Sequence, residues 1–574
     1  MSPVSPVAAS HEFSVYRMQQ YDLHNVPHGC RSASFNLEGR SLTSWATSRH
    51  CVVARMQDIT IDQFMEIRSK AGALLLVLPK NDTVLSVEER EHIQLLEMAM
   101  SQQEMNAPVY FMHWSPEVEE IIQDLQHSFI TDDKSGTALE AMFNSVSSNG
   151  YQIGDVSPAT KYSHRYPVDR PGFIAVFYTI LSLLFVRTVV TAPTPAKLES
   201  KPVTLQGKLA GRAGSSQTII ITAHYDSSGI VPELSQGADS NASGAVAVLE
   251  LARVFSRLYA SSSTRGAASL LFLLTSTGHS LNYFAAKKWL EEQLDSSDST
   301  LLQDVSFVLN IDSISSAPSI TMHVSKPPKP GGAPHSLKAR LGAPINHKKI
   351  NLADEALAWQ HERFSIKRMA AFTLSSLQSH KDPSRSSILD VPSEDNLQNL
   401  VGNIRDIARA LASHIYNITD EDNDEDSALL DDTIDVDEEA VRSWFQHLAS
   451  QPRAPHVVTT VPSNQGNYIF TILSLRSHRL LLPVGVTGAI ERALARYTEV
   501  TVHTHAVDKR EPEYTLYSST EHILNVYSVK PAVFDLILTL AIVAYLTLVY
   551  FAIQLFPAFY DEFARFVTGK EKVQ

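Results

Sequence analysis

The sequence predicts an α/β protein: two successive units in which short strands alternate with helices, then one C-terminal membrane-spanning helix. Three observations carry this. Short apolar runs alternate with amphipathic stretches between residues 12 and about 150, and again from residue 218 onward. Such βαβα order implies mixed or mainly parallel sheets flanked by helices. Residues 536–553 read LILTLAIVAYLTLVYFAI without a charge, and about 20 helical residues at about 1.5 Å each cross a hydrocarbon core of about 30 Å. Finally, the chain has 574 residues, 44% of them hydrophobic, too long for one core and too apolar for a disordered polymer.

The elements follow in order. Residues 1–11 have neither a basic stretch nor an apolar run, so as written they are not a signal peptide. Residues 12–150 form a smaller N-terminal α/β domain, with strands expected at 51–56, 73–78 and 109–113 and helices at 61–70, 87–100 and 116–127. It has no glycine-rich phosphate loop and no catalytic cluster, so a structural or lid role is expected. Residues 151–206 form an irregular insertion with prolines at 167, 171, 193, 195 and 202 and the apolar run 172–186. That run is short for a span. A membrane-dipping hairpin, a second anchor and residues foreign to the mature protein remain open, with the last preferred.

The second unit, 207–419, offers strands at 218–226, 268–275, 306–312 and 364–374 and helices at 245–259, 283–294 and 396–416. In the last helix Leu397, Leu400, Ile404, Ile407, Leu411 and Ile415 share one face. Residues 420–439 hold twelve acids and no Lys or Arg, the composition of a solvated linker. Residues 440–530 read as a mixed membrane-proximal region, 531–556 as the transmembrane helix in contact with the bilayer, and 557–574 as a cytosolic tail. In that tail Arg565, Lys570 and Lys572 are balanced by Asp561, Glu562 and Glu571, so charge orients it weakly.

The 48 basic and 62 acidic residues give 48 − 62 = −14, and removing the twelve acids of the linker leaves −14 + 12 = −2. The folded units are nearly balanced. A direct nucleic-acid partner is excluded, because phosphate binding needs clustered Lys and Arg. Only Cys30 and Cys51 are present, so there is no disulfide framework or CxxC metal site, and one bridge between them stays open. Asn81, Asn241 and Asn417 head N-x-S/T sequons, the pattern of lumenal glycan acceptors.

Several metal-type side chains fall just past runs that read as strands: His224 and Asp226, Asp239 in GADSNASG, and Asp312 after SFVLNI. Ligands in an open parallel sheet bind outside the carboxyl ends of strands, and imidazole with carboxylate suits zinc. Taken singly, each of these residues also reads as a turn former or helix cap.

The segments HYDSSG, GADSNASGAVAVLELAR and FVLNID resemble the zinc-dependent aminopeptidase family, whose sheet carries His-x-Asp, a bridging Asp, a Glu-Glu pair, a further Asp and a late His. The resemblance puts His224 at the first ligand, Asp239 at the bridging carboxylate, Asp312 at the later Asp and His380 at the final His. Where the family has Glu-Glu, this chain reads LLFLLTSTGHSLNY, and the pair falls near His279 and Ser280. The general base and one ligand are thereby lost, and loss of a base costs about 10² to 10⁴ in rate. His279 is the one candidate substitute; Ser280 is a poor zinc ligand.

Stretches such as FSVYRMQQYDL, ELARVFSRLY, HKKINLADEALAWQHERFSIKR, DKREPEY and VKPAVFDL are similar to the nicalins, the nicastrin-like branch of this superfamily. That resemblance implies a catalytically silent glycoprotein of the endoplasmic reticulum membrane, single-pass, with its large domain lumenal and neither a bound metal nor a cofactor. It implies assembly with the nodal modulator protein and a small multispanning membrane protein, association with the Sec translocon and its ribosome during multipass membrane protein biogenesis, and modulation of Nodal signalling. It also implies that residues 1–11 are the remnant of a signal peptide. The run at 162–196 and the apolar stretch 467–485 interrupt the resemblance. The rival reading is an active membrane-anchored zinc aminopeptidase using His224, Asp239, Asp312, His380 and His279; a third is a receptor that holds peptide ends in the same cleft.

Overall fold

A computed structural model describes residues 10–30, 35–80, 84–102, 104–134, 150–158, 197–212, 217–296, 301–354, 356–418, 434–459, 485–518, 521–529 and 532–568. Asn81, the apolar run 172–186 and residues 467–484 lie outside the described residues.

The N-terminal unit is a seven-stranded sheet that closes on itself, in the order His11–Arg17, Glu521–Val529, Gly150–Pro158, Asn36–Ser41, His50–Arg55, Ala73–Val77 and Val109–Met112, the last pairing back to the first. The four strands from Asn36 to Met112 run parallel, as the alternating pattern predicts. Their connecting helices are set by local chemistry. Ile61–Lys70 and Val87–Ser101 each begin with a capping box, Thr60 with Gln63 and Ser86 with Glu89, which satisfies amide groups the first turn would otherwise leave bare. Strand side chains alternate between two cores. Val52, Leu74, Leu76 and Phe111 pack with Phe64, Ile93 and Leu96 of those helices, whereas Cys51, Val53, Leu75 and Val77 pack with Val118, Ile121 and Leu125 of the helix Pro116–Lys134.

Cys30 and Cys51 fall in different cores and are both buried free thiols. No bridge joins them, and Cys30 Sγ instead donates to Ala107 O at 3.2 Å.

The second unit is an eight-stranded sheet in the order Ile345–His347, Thr321–Val324, Ala371–Ser375, Val305–Ile311, Thr218–His224, Ser269–Thr275, Val203–Leu209 and Glu499–Thr504. Its four central strands, from Ala371–Ser375 to Ser269–Thr275, are parallel, so their carboxyl ends meet along one edge. One face is covered by Gly244–Tyr259, whose residues are nearly all buried, with Glu394–Ile415 and Glu438–Ala449 packed outside it. The opposite face is filled by Trp289, Leu290 and Phe364. A third sheet pairs Val26–Gly29, Gln20–Leu23, Tyr514–Tyr517 and Lys197–Leu198.

Three stretches differ from the sequence reading. Residues 364–374 are not one strand: the helix His361–Ile366 ends, Arg368 turns with φ 67°, and the strand starts at Ala371. Phe364 thereby packs beside Trp289. Residues 440–530 are not a single membrane-proximal region, because their strands go to all three sheets. The alternating buried residues His522, Leu524 and Val526 match Val15, Phe13 and His11 across the seam.

The third stretch is the end of the acidic segment, which is structured. Ile434 and Val436 are buried, Asp437 caps Glu438–Ala449 through Ala440 N, and Asp437 N donates to Glu250 Oε1 at 2.8 Å. Two apolar side chains at alternate positions dock this stretch, each contributing about 1.5–3 kcal/mol when fully buried.

The helix Ala532–Thr568 contains one stretch, Ile537–Pro557, with mean hydropathy 2.1 and no burial within the molecule. Its 21 residues span about 30 Å at about 1.5 Å each. By length and composition it is able to cross a membrane.

Candidate functional site at the strand ends

The carboxyl ends of the parallel strands hold the chemistry. Thr218–His224 ends on His224, with Asp226 two residues on; Val305–Ile311 is followed directly by Asp312. These three are at most 2% exposed. His224 Nδ1 lies 3.1 Å from Asp226 Oδ1, and His224 Nε2 lies 3.5 Å from Asp312 Oδ2. Burial works against a charge on the imidazole, but the two carboxylates outweigh it and raise His224 to about 9.

Asp312 has a stronger partner. Arg385 Nη2 donates to its Oδ2 at 2.5 Å and to Tyr283 OH at 2.9 Å, while Nη1 donates to Ala358 O at 3.1 Å. The guanidinium also lies over the Trp359 ring, 4.6 Å from its centroid. Burial pushes the Asp312 carboxyl up, yet Arg385 foremost, and then His224, hold it well below the ordinary carboxylate range.

Backbone strain gathers here as well. Asn282, Tyr283 and Ser313 all have φ between 52° and 54°, a left-handed conformation that costs about 1–2 kcal/mol for an ordinary residue. At Tyr283 it accompanies a phenol that donates to Ala358 O and accepts from Arg385.

Residues named from the sequence do not all converge. Asp239 is engaged elsewhere: its Oδ1 accepts from Ser315 N at 2.7 Å, Ser315 Oγ at 2.8 Å and Ser316 N at 3.2 Å. Its amide and that of Ser240 donate to the two oxygens of Asp390 at 2.8 and 2.9 Å. Burial, and then the nearby Asp239, raise Asp390 to about 7. His279 Nε2 sits 3.0 Å from Ser228 Oγ and 2.8 Å from Ser386 Oγ. Enclosure, Arg385 and His224 hold this imidazole well below its ordinary value, so it is neutral. The side-chain oxygen of Ser280 is buried without a hydrogen-bond partner.

His380 lines a cavity of about 470 Å³ together with Tyr21, Glu97, His279, Ser280 and Arg385. Its imidazole is lowered to about 4, by burial first and then by Lys348 and Arg385. The cavity lies between the two units, since Tyr21 and Glu97 come from the N-terminal part.

Asn241, expected as a glycan acceptor, is fully buried. Its Nδ2 donates to His224 O and Ile311 O, both at 3.1 Å, and its Oδ1 accepts from Gly244 N at 2.9 Å and Ser313 N at 3.0 Å. With all four hydrogen-bonding positions used inside the core, this amide is closed to a transferase in the folded chain. Asn417 is exposed just past the helix Glu394–Ile415.

A zinc centre of the kind the resemblance suggests does not fit this donor set. Asp312 Oδ2 is already held by a guanidinium, and Asp239 Oδ1 is committed to Ser315 and Ser316. Among the described residues no group of three or more His, Cys, Asp or Glu is placed to hold one ion.

Sequence reasoning missed Arg385, Tyr283, Asp390 and Arg453. Arg453 is fully buried and donates to Leu448 O, Tyr225 O, Gln236 O and Gly237 O at 2.6–2.9 Å. It thereby fixes the loop that follows His224. No local pattern marks any of these four, because each earns its place through partners distant in sequence.

The sheet and its strand-end residues define a peptidase-type α/β unit, and the model of Peptidase family M28 matches residues 204–352. BOS complex subunit NCLN of Canis lupus familiaris and that of Homo sapiens are each 36% identical to this chain over 592 residues, covering 100% of it and 94% of their own length. Nicalin of Caenorhabditis elegans is 28% identical over 573 residues, covering 94% of this chain and 89% of its own. The chain belongs to the nicalin family. Its fold also matches the crystal structure of the gamma-secretase component nicastrin, with TM-score 0.53 at 11% identity over 91% of this chain and 100% of nicastrin.

Proposed function

We propose that this chain is a non-catalytic, peptidase-fold subunit of a membrane protein complex in the endoplasmic reticulum. The full-length similarity to subunits named for the BOS complex carries the reading. In it the large units are lumenal, the helix containing Ile537–Pro557 spans the bilayer, and Asn417 carries a glycan. The partners are the nodal modulator protein and a small multispanning membrane protein, and the assembly works beside the Sec translocon and its ribosome during multipass membrane protein biogenesis, with an effect on Nodal signalling.

The site supports the non-catalytic half of the proposal. No Asp or Glu occurs between Ser269 and Leu290, where a catalytic carboxylate pair would follow the second strand, and His279 is engaged by two serine hydroxyls. Affinity purification of the full chain from native membranes in mild detergent tests the assembly: multispanning partners are expected in stoichiometric yield, and their absence overturns it. Stoichiometric zinc together with aminopeptidase activity that is lost in His224→Ala overturns the non-catalytic reading.

A further inference from the structure

We propose that Arg385 is a built-in cation: its guanidinium supplies Asp312, as a covalently tethered charge, with the positive partner that a metal ion would supply in an active peptidase of this fold. The argument starts from spacing. Two ligands of one tetrahedral zinc ion, with bonds of about 2.0–2.2 Å, stand about 3.3–3.6 Å apart. His224 Nε2 and Asp312 Oδ2 are 3.5 Å apart, the separation suited to an ion between them. His224 Nε2 has no hydrogen-bond partner of its own. The positive charge nearest to Asp312 is nevertheless that of Arg385, at 2.5 Å, inside the 3.5 Å to His224.

The guanidinium is delivered by a fixed segment. Arg385 lies on the short 3-10 turn Pro383–Ser386, capped by Asp382, whose Oδ1 accepts from Ser384 N at 3.0 Å. Downstream, Ser386 Oγ meets His279, Ile388 N donates to Glu97 Oε1 at 3.0 Å, and Asp390 accepts the amides of Asp239 and Ser240. Tyr283, Ala358 and the Trp359 face hold the guanidinium from three further sides. This planar cation does not lose its proton in a protein. A buried Asp312 beside two further ionisable groups needs a counter-charge, and an isolated buried carboxylate would be strongly destabilising. Arg385 meets that need at every pH, independent of metal supply. The inference concerns what balances the buried charge and does not depend on which partners the chain joins.

Thermal unfolding of the full chain in mild detergent tests this, comparing the parent, Arg385→Met, Asp312→Asn and the double variant, each with EDTA and with added zinc. The parent midpoint is expected to move by no more than about 1 °C with EDTA or zinc, because no ion contributes. Each single variant is expected to lose roughly 5–10 °C, and the double no more than the worse single, the signature of a coupled pair. A parent destabilised by EDTA, or single effects that add in the double, overturns the proposal. Should Arg385→Met fail to accumulate, recovery of the double decides for it, and loss of the double while Asp312→Asn alone folds decides against. A metal-free, inactive parent with additive singles refutes the tethered cation alone, whereas a zinc-loaded, active parent refutes the non-catalytic reading too.

Discussion

Replacing Asn241 by Asp changes one NH₂ group to an oxygen at almost constant volume, so its effect isolates polar chemistry from packing. In the parent, that NH₂ donates to the carbonyls of His224 and Ile311 at 3.1 Å each, tying together the ends of two central strands. An ionised carboxylate would place an acceptor against two acceptors in a site with no exposure. The side chain therefore takes up a proton, which at pH 7 costs about 4 kcal/mol for a carboxyl of ordinary value near 3.9. The protonated acid restores one donor of two, and the lost hydrogen bond adds about 1 kcal/mol. The sum of about 5 kcal/mol corresponds to a midpoint lowered by roughly 10 °C at pH 7.

The sign with pH follows from the same protonation. A carboxyl whose folded value is raised binds more protons folded than unfolded, so the penalty is smallest below about pH 4 and grows as pH rises toward the folded value. Differential scanning of parent and Asn241→Asp between pH 4.5 and 7.5 measures it. The variant also deletes one sequon, and its mobility shift on endoglycosidase treatment should equal the parent's. Equal midpoints at pH 7, or a penalty that grows toward acid pH, would refute the reasoning.

Three further perturbations bear on other parts of the molecule. A Cβ at Gly278 would lie 2.6 Å from His224 Nδ1 and 3.0 Å from Asp226 Oδ1; Gly278→Ala should cost about 1–3 kcal/mol, read as a lower unfolding midpoint, because neither buried partner has room to retreat. Burial raises Glu97 from 4.5 to about 7 against the bond from Ile388 N, so its contribution is full below about pH 4.5 and lost as pH rises through about 7. Glu97→Gln should flatten the parent's stability between those values by on the order of 2–3 kcal/mol, measured by denaturant titration at pH 5 and pH 8. Val543→Arg with Leu546→Arg places two charges in the exposed apolar helix at about 2.5–3.5 kcal/mol each, and alkaline extraction should then release the chain from membranes that retain the parent.

Local periodicity made most of the fold legible. The helices Ile61–Lys70, Gly244–Tyr259 and Glu394–Ile415 and the strands His50–Arg55, Thr218–His224 and Val305–Ile311 fall within a residue or two of expectation, because amphipathic spacing and caps are written in contiguous residues. What escaped depends on distant partners. Glu521–Val529 reads as an ordinary alternating stretch, and nothing in its own residues says that it completes a sheet begun at His11. The site divides the same way. His224 and Asp312 end apolar strands and stand out, while Arg385 sits inside the serine-rich turn PSRSS and gains meaning only from Asp312, 73 residues away. Asn241 misled, since N-A-S is a glycan pattern in a loop and here is an internal clasp between strand ends.

The pairing of His11–Arg17 with Glu521–Val529 has a temporal side. Val526 lies opposite His11, so 526 − 11 = 515 residues must be synthesised between the two halves of that seam. At about 5–20 residues per second this takes on the order of 25–100 s. Throughout that interval the first strand has an unoccupied edge, a template for mispairing. Its proper neighbour emerges only three residues ahead of the helix that begins at Ala532. Closure of the N-terminal unit and arrival of the apolar helix are therefore nearly simultaneous events, and a chain truncated before Glu521 would lose that helix and leave its first domain open in the same stroke.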